Sequence, residues 1–208
     1  MKNKIELINK SIGAALLISL GNYALLKLGN PIGPVIFALG LLGVCYMGQN
    51  LFTGKCGFVI QDKIKPLDLC IILIVNLIAG YLFGLLYSAI DADIYNNAVT
   101  KIATWEVSLS FFVKSILCGI IMYIAVFMYK KGTPLGIIYG IPLFIFCGFQ
   151  HCIANIITLG AGRTMHLSII ICIIGNFAGS LLTWYITKDS NFDKKLIEER
   201  KNYKISKK

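Results

Sequence analysis

Gly148-Phe149-Gln150-His151-Cys152-Ile153-Ala154-Asn155 interrupts an apolar stretch long enough to cross a bilayer. Irregular backbone at membrane depth is tolerated only where protein buries it or a water-filled cavity faces it. An ionisable side chain there is costly, and it faces a partner or a pathway. A second stretch is built the same way: Gly48-Gln49-Asn50-Leu51-Phe52-Thr53-Gly54-Lys55. Each break follows a proline and a glycine, Pro31-Ile32-Gly33 in one case and Pro134-Leu135-Gly136 in the other. Two spans of this chain therefore read as broken helices, and everything else is arranged around them.

The surrounding pattern is that of a polytopic membrane protein. The chain has 208 residues, 57% hydrophobic and 14% charged, where a soluble domain carries about 25% charged residues. Six apolar spans follow, at about 10–28, 31–60, 67–90, 106–129, 134–160 and 164–187. Each is near or above the ~20 residues that a spanning helix needs. Residues 1–188 are expected to form one transmembrane pore domain, with halves at about 1–95 and 96–188. Residues 189–208 form a basic tail. The apolar stretch after Lys10 is too long, and lacks the cleavage pattern, for a signal peptide.

Lysine and arginine placement sets the orientation. Lys2, Lys4 and Lys10 precede span one, Lys63 and Lys65 follow span two, and Lys130 and Lys131 follow span four. With six spans these clusters share one side with the tail, which the positive-inside rule makes cytoplasmic. The membrane is then the cell's inner (plasma) membrane, with both termini cytoplasmic. The opposite loops hold Asp91, Asp93, Lys101 and Arg163, a weaker basic load. Trp105 and Trp184 fit interfacial belts, and His166 reads as interfacial with no special role.

The halves match each other. Span three contains Asn76-Leu77-Ile78-Ala79-Gly80, and span six contains Asn176-Phe177-Ala178-Gly179. Three spans per half give the two halves opposite orientations. The result is an inverted repeat whose broken second helices meet near the midplane, a sequence pointer to a substrate path.

A path at that junction suits an anion. Helix N-termini carry partial positive charge and unpaired N–H groups. His151 supplies a proton or a hydrogen-bond donor at the right depth, with Gln150 and Asn155 close in sequence. Thr53 adds a hydroxyl from the facing half, and Lys101 draws anions to the outer mouth.

Other classes are excluded by what the sequence holds. The charge of +10 sits in termini and short loops, without the basic, aromatic-interleaved face of a nucleic-acid site. No P-loop, intramembrane carboxylate pair or paired-histidine haem arrangement is present, so no enzyme activity, cofactor or metal is expected. The seven cysteines have no metal-ligand spacing and read as reduced packing residues.

At this point the residues resemble the formate/nitrite transporter family. GFQHCIAN at 148–155 is similar to that family's fifth-span signature, commonly GFEHSIAN. Leu51-Phe52-Thr53 resembles the loop in its broken second helix. Lys101 with Trp105, the runs Ile116 to Gly119 and Ile124 to Met128, and Gly175-Asn176 also match. The resemblance implies an all-α integral membrane fold of six transmembrane helices. It also implies an aquaporin-like inverted repeat with broken second and fifth helices. It further implies a homopentamer, one pore per protomer, passing small monovalent anions through the lipid bilayer. It carries the central histidine to His151, the loop threonine to Thr53 and the vestibule lysine to Lys101. It places the inner constriction at Leu51 and Phe52, and the outer one at Leu41 and Phe144.

Three departures shape the substrate expectation. Gln150 and Asn50 stand where the family usually has acids, and Gly119 replaces an asparagine. Losing two acids removes negative charge near the pore and is expected to alter how His151 is oriented. The chain looks most similar to the hydrosulfide-channel branch, with formate or nitrite as the alternative. Two further readings stand beside these. One is an aquaporin-like neutral-solute channel, although the Asn-Pro-Ala pair is absent. The other is a non-transporting sensor whose basic tail binds a partner.

Overall fold

A computed structural model describes residues 2–188. Among them every regular element is helical. Four helices are long and apolar enough to span a membrane: α1 (Lys2–Leu28), α4 (Pro66–Ile90), α6 (Leu109–Lys130) and α9 (Ser168–Thr187). Two further segments are broken, as the interrupted sequences predict. The first is α2 (Ile32–Tyr46), then a loop, then α3 (Phe52–Lys55) and a 3-10 turn over Cys56–Phe58. The second is α7 (Leu135–Phe146), a loop, and α8 (Cys152–Ala161). Between the halves lies α5 (Ala92–Ile102). The tail at 189–208 lies outside the described residues.

The packing follows the repeat. The series α1, α2, α3, α4 corresponds to α6, α7, α8, α9. Accordingly α1 packs on α2 and α4, just as α6 packs on α7 and α9. The two broken segments meet along α2 and α7, and each half crosses into the other: α8 packs on α4, and the 3-10 turn packs on α9. Glycines permit the closest of these crossings. A β-carbon on Gly84 would lie 2.1 Å from the Ile157 carbonyl oxygen, and one on Gly160 would lie 2.1 Å from that of Tyr81. Backbones approach this closely in membrane helix pairs only over small residues.

The outer faces stay apolar and exposed, as at Leu39, Ile78, Leu82 and Ile174. Ion pairs among the described residues lie near the helix ends. Lys27 bridges Asp91 and Asp93 on one face of the protein, and Lys130 pairs with Asp62 on the other.

Two elements differ from the sequence reading. Residues 92–102 were expected as loop; they form a helix because Asp91 caps it, its carboxylate accepting from the Asp93 N–H. Ile94 and Ala98 then pack beneath it. Trp105, expected at the lipid interface, is 7% exposed and packs edge-on against Phe111 and His166.

Candidate functional site

Both breaks are held open by the same device. Gly48 and Gly148 adopt left-handed backbone, φ +62° and +67°, where a side chain would be strained. The chain then runs extended into the half-helix, through Leu51 at the start of α3 and His151 at the start of α8. A buried asparagine satisfies each junction. Asn76 Oδ1 accepts from the Phe52 N–H at 2.8 Å, and its Nδ2 donates to the Ser11 and Asn50 carbonyls. Asn176 Oδ1 accepts from the Cys152 N–H at 2.8 Å, and its Nδ2 donates to the Ser115 and Gln150 carbonyls. Backbone groups that a break would leave unpaired in a dry interior are thereby satisfied.

The half-helix starts bring His151 and Thr53 together. The imidazole Nε2 lies 2.8 Å from Thr53 Oγ1, and both residues are buried. Its Nδ1 caps α8 by accepting from the Ala154 N–H at 3.1 Å. A ring nitrogen that accepts from an amide carries no proton of its own. The neutral ring therefore bears its hydrogen on Nε2 and donates to the threonine oxygen. The threonine hydroxyl proton is then aimed elsewhere. Phe144 stacks on the histidine, ring centroids 5.9 Å apart.

At the start of α8, where an anion-attracting helix end was expected, the N–H groups of Cys152 and Ala154 are bonded to Asn176 and to the His151 ring.

Gln150 and Asn155 bond each other rather than the histidine. Asn155 Nδ2 donates to Gln150 Oε1 at 2.9 Å, and Gln150 Nε2 donates to the Gly148 carbonyl. The expected influence of Gln150 on the imidazole therefore has no direct contact behind it. Asn50 enters through its backbone, its N–H donating to the Lys10 carbonyl.

The apolar residues flank this step. Leu51, Phe52, Leu41 and Phe144 are all buried. Phe52 stacks on Phe177, and Phe144 meets the edge of Phe37. Leu41 was grouped with Phe144 on sequence. The structure places it with Leu51 on the wall of a cavity of about 110 Å³ whose lining also includes Lys55 and Lys130. Phe37, which the sequence reading did not single out, is Phe144's aromatic partner.

Lys101 sits near the end of α5, beside Ile102, which packs close to Gly162 at the far end of α8. Ten residues of α8 separate that end from His151, a rise of about 15 Å. Burial without a counter-charge pushes the Lys101 ammonium down to about 8.

Comparison with known proteins decides the family. The profile described as Formate/nitrite transporter matches residues 5–167. The chain belongs to the formate/nitrite transporter family. Membership places it among transporters rather than enzymes. It is 29% identical over 155 residues to "Uncharacterized transporter YrhG" of Bacillus subtilis (strain 168), a match covering 65% of this chain and 58% of that one. The match thus spans less than two thirds of that relative's length. Among solved structures, an "FNT family ion channel" matches with TM-score 0.70 at 22% identity, over 88% of this chain and 87% of that one. A "Pentameric formate channel with formate bound" matches with TM-score 0.64 at 18% identity, over 100% and 99%. These likenesses establish the formate/nitrite transporter fold for this chain, with its broken second and fifth segments.

Proposed function

We propose that this family member is a channel for small monovalent anions, with His151 and Thr53 as its central polar step. One observation carries the reading: a histidine and a threonine from opposite halves share a 2.8 Å hydrogen bond between two broken segments. With the imidazole N–H donating to Thr53, the hydroxyl is left to donate to a passing anion. Leu41, Leu51 and Phe52 narrow the path on one side, and Phe144 narrows it on the other. Apolar walls exclude bulk water and strengthen each donor. Lys101 gathers anions at the outer mouth.

Each protomer contains its own pore, and five protomers assemble through the apolar outer faces, as the solved relative described as pentameric suggests. Residues 1–188 make up the pore unit in the plasma membrane, and both termini are cytoplasmic by the lysine distribution. Hydrosulfide is the anion we place first, formate or nitrite second. The support is electrostatic: Gln150 and Asn50 carry no negative charge to oppose a small anion.

Stopped-flow uptake into proteoliposomes tests the reading, comparing hydrosulfide, formate, nitrite and chloride at two pH values. Thr53→Val and His151→Phe are expected to slow the preferred anion by about tenfold or more, the worth of a charge-assisted hydrogen bond. A His151→Phe protein that conducts like wild type at every pH overturns the assigned step. Rapid osmotic water flux without anion flux would instead mark a neutral-solute channel. Formate or nitrite clearly leading hydrosulfide withdraws the substrate and keeps the channel.

A further inference from the structure

We propose that Lys55 is an anion-capturing, selectivity-determining residue at the mouth opposite Lys101, and that the neutrality of Asn50 makes it so. This rests on the anion-channel reading above. The cavity on the Leu51 side is lined by buried apolar residues, Leu41 and Leu51 among them, and by Gln49, Tyr129, Lys55 and Lys130. No carboxylate lines it. The two lysines differ in their engagement. Lys130 pairs with Asp62, and its ammonium lies 4.0 Å from the Phe58 ring centroid. Lys55 is half-buried and forms no ion pair among the described residues.

The repeat explains why the Lys55 charge stays uncompensated. Residues 50 and 55 correspond to residues 150 and 155 in the other half, counted from the matched junctions Phe52–Asn76 and Cys152–Asn176. In the second half those positions bond side chain to side chain, Asn155 to Gln150 at 2.9 Å. The backbone frame thus brings such a pair within reach of each other. In the first half the same two positions hold Asn50 and Lys55. A carboxylate at 50 would neutralise the ammonium; an asparagine has no charge to do so. The mouth keeps a positive charge on a cavity whose lining includes Leu41 and Leu51, two of the narrowing residues. Such a charge concentrates anions locally and repels cations. The matched positions of the second half hold a neutral Gln150–Asn155 pair, and the other mouth takes its charge from Lys101 on α5. A symmetric frame therefore carries two differently built anion traps.

Formate uptake into proteoliposomes at about 10 mM and about 1 M ionic strength tests this, since the screening length falls from about 30 Å to about 3 Å. Wild type is compared with Lys55→Gln, Lys55→Arg and Asn50→Glu. At low salt Lys55→Gln is expected to raise the half-saturating concentration about three- to tenfold, a modest steering effect. Lys55→Arg is expected to stay near wild type, and Asn50→Glu to match Lys55→Gln. All four curves are expected to converge at high salt. An unchanged half-saturating concentration in Lys55→Gln overturns the proposal. So does a wild-type curve in Asn50→Glu, which keeps Lys55 in place and stands if the Gln variant misfolds. A wild type that passes no anion overturns the channel reading, and this proposal with it.

Discussion

Asn76 and Asn176 make the same hydrogen bonds in opposite halves of the molecule. Each carbonyl oxygen takes the first N–H of a half-helix at 2.8 Å, and each amide donates to two carbonyls around the break. Both side chains are fully buried. Replacing either with alanine strands the half-helix N–H in a dry interior and removes two further bonds, while the Ser11 and Ser115 carbonyls keep their partners within α1 and α6. A stranded group costs about 1–3 kcal/mol, reduced by whatever water enters. Asn76→Ala and Asn176→Ala are each expected to lose about 2–4 kcal/mol in detergent-solubilised unfolding. A loss below about 1 kcal/mol would show that the breaks hold without them.

The glycine crossing makes a second prediction. Gly84→Ala and Gly160→Ala each place a methyl 2.1 Å from a backbone oxygen across the α4–α8 contact. The helices must part, at about 1–3 kcal/mol for each substitution. Gly54→Ala serves as the comparison, because its nearest neighbour, Val126 Cγ2, lies at an ordinary 3.6 Å. Thermal midpoints should fall for the first two and barely move for the third. Equal shifts in all three would remove the steric explanation.

Lys101 predicts a pH dependence. Its ammonium is held near 8 by burial, so it is charged below that pH and neutral above it. Formate stays ionised throughout this range, as carboxyl groups titrate near 4. Formate capture from the Lys101 side is expected to weaken as pH rises from about 7 to about 9. Lys101→Arg should keep capture flat across the same range, because guanidinium remains charged. A wild-type profile equally flat would take Lys101 out of the mouth.

Asp91 predicts an acid limit. The Tyr23 hydroxyl and then the Lys27 ammonium hold its carboxyl at about 2, below the ordinary 3.8. A depressed carboxyl stabilises the fold above its unfolded value. That contribution shrinks as pH falls from about 4 and is gone below about 2. The cluster ties α1 to the start of α5 through 2.7 Å bonds from Tyr23 to Asp91 and from Lys27 to Asp93. Asp91→Asn should lower the thermal midpoint at pH 7, with the difference from wild type fading below pH 4. A difference that persists at pH 2 would mean the charge is not the cause.

Hydropathy and the paired interruptions made most of this architecture legible. Span ends at 28, 90 and 187 fall within a residue of the observed helix ends because proline, glycine and charge punctuate them. The shortness of α3 was not legible. Cys56–Phe58 continues the apolar run, so nothing in composition marks where α-helix gives way to a 3-10 turn. The α5 helix left a fainter signal, an Asp91 cap with Ile94 and Ala98 four apart, in a segment too polar to stand out. At the site, His151 and Thr53 were readable as residues, but their 2.8 Å meeting was not, since it joins chain positions 98 apart. Gln150 misled for a local reason. In extended backbone consecutive side chains point opposite ways, so the residue before the histidine turns to Asn155 and away from the imidazole. Leu41 was grouped with Phe144 by the family resemblance alone, which does not show that Leu41 lines the same cavity as Leu51.

The Thr53–His151 bond draws one partner from each half. A ribosome therefore releases a hydroxyl first and an imidazole about a hundred residues later. Until α8 is threaded into place against α4, a half-made chain holds only one partner of this bond, so the contact between the halves is among the last features synthesis can complete.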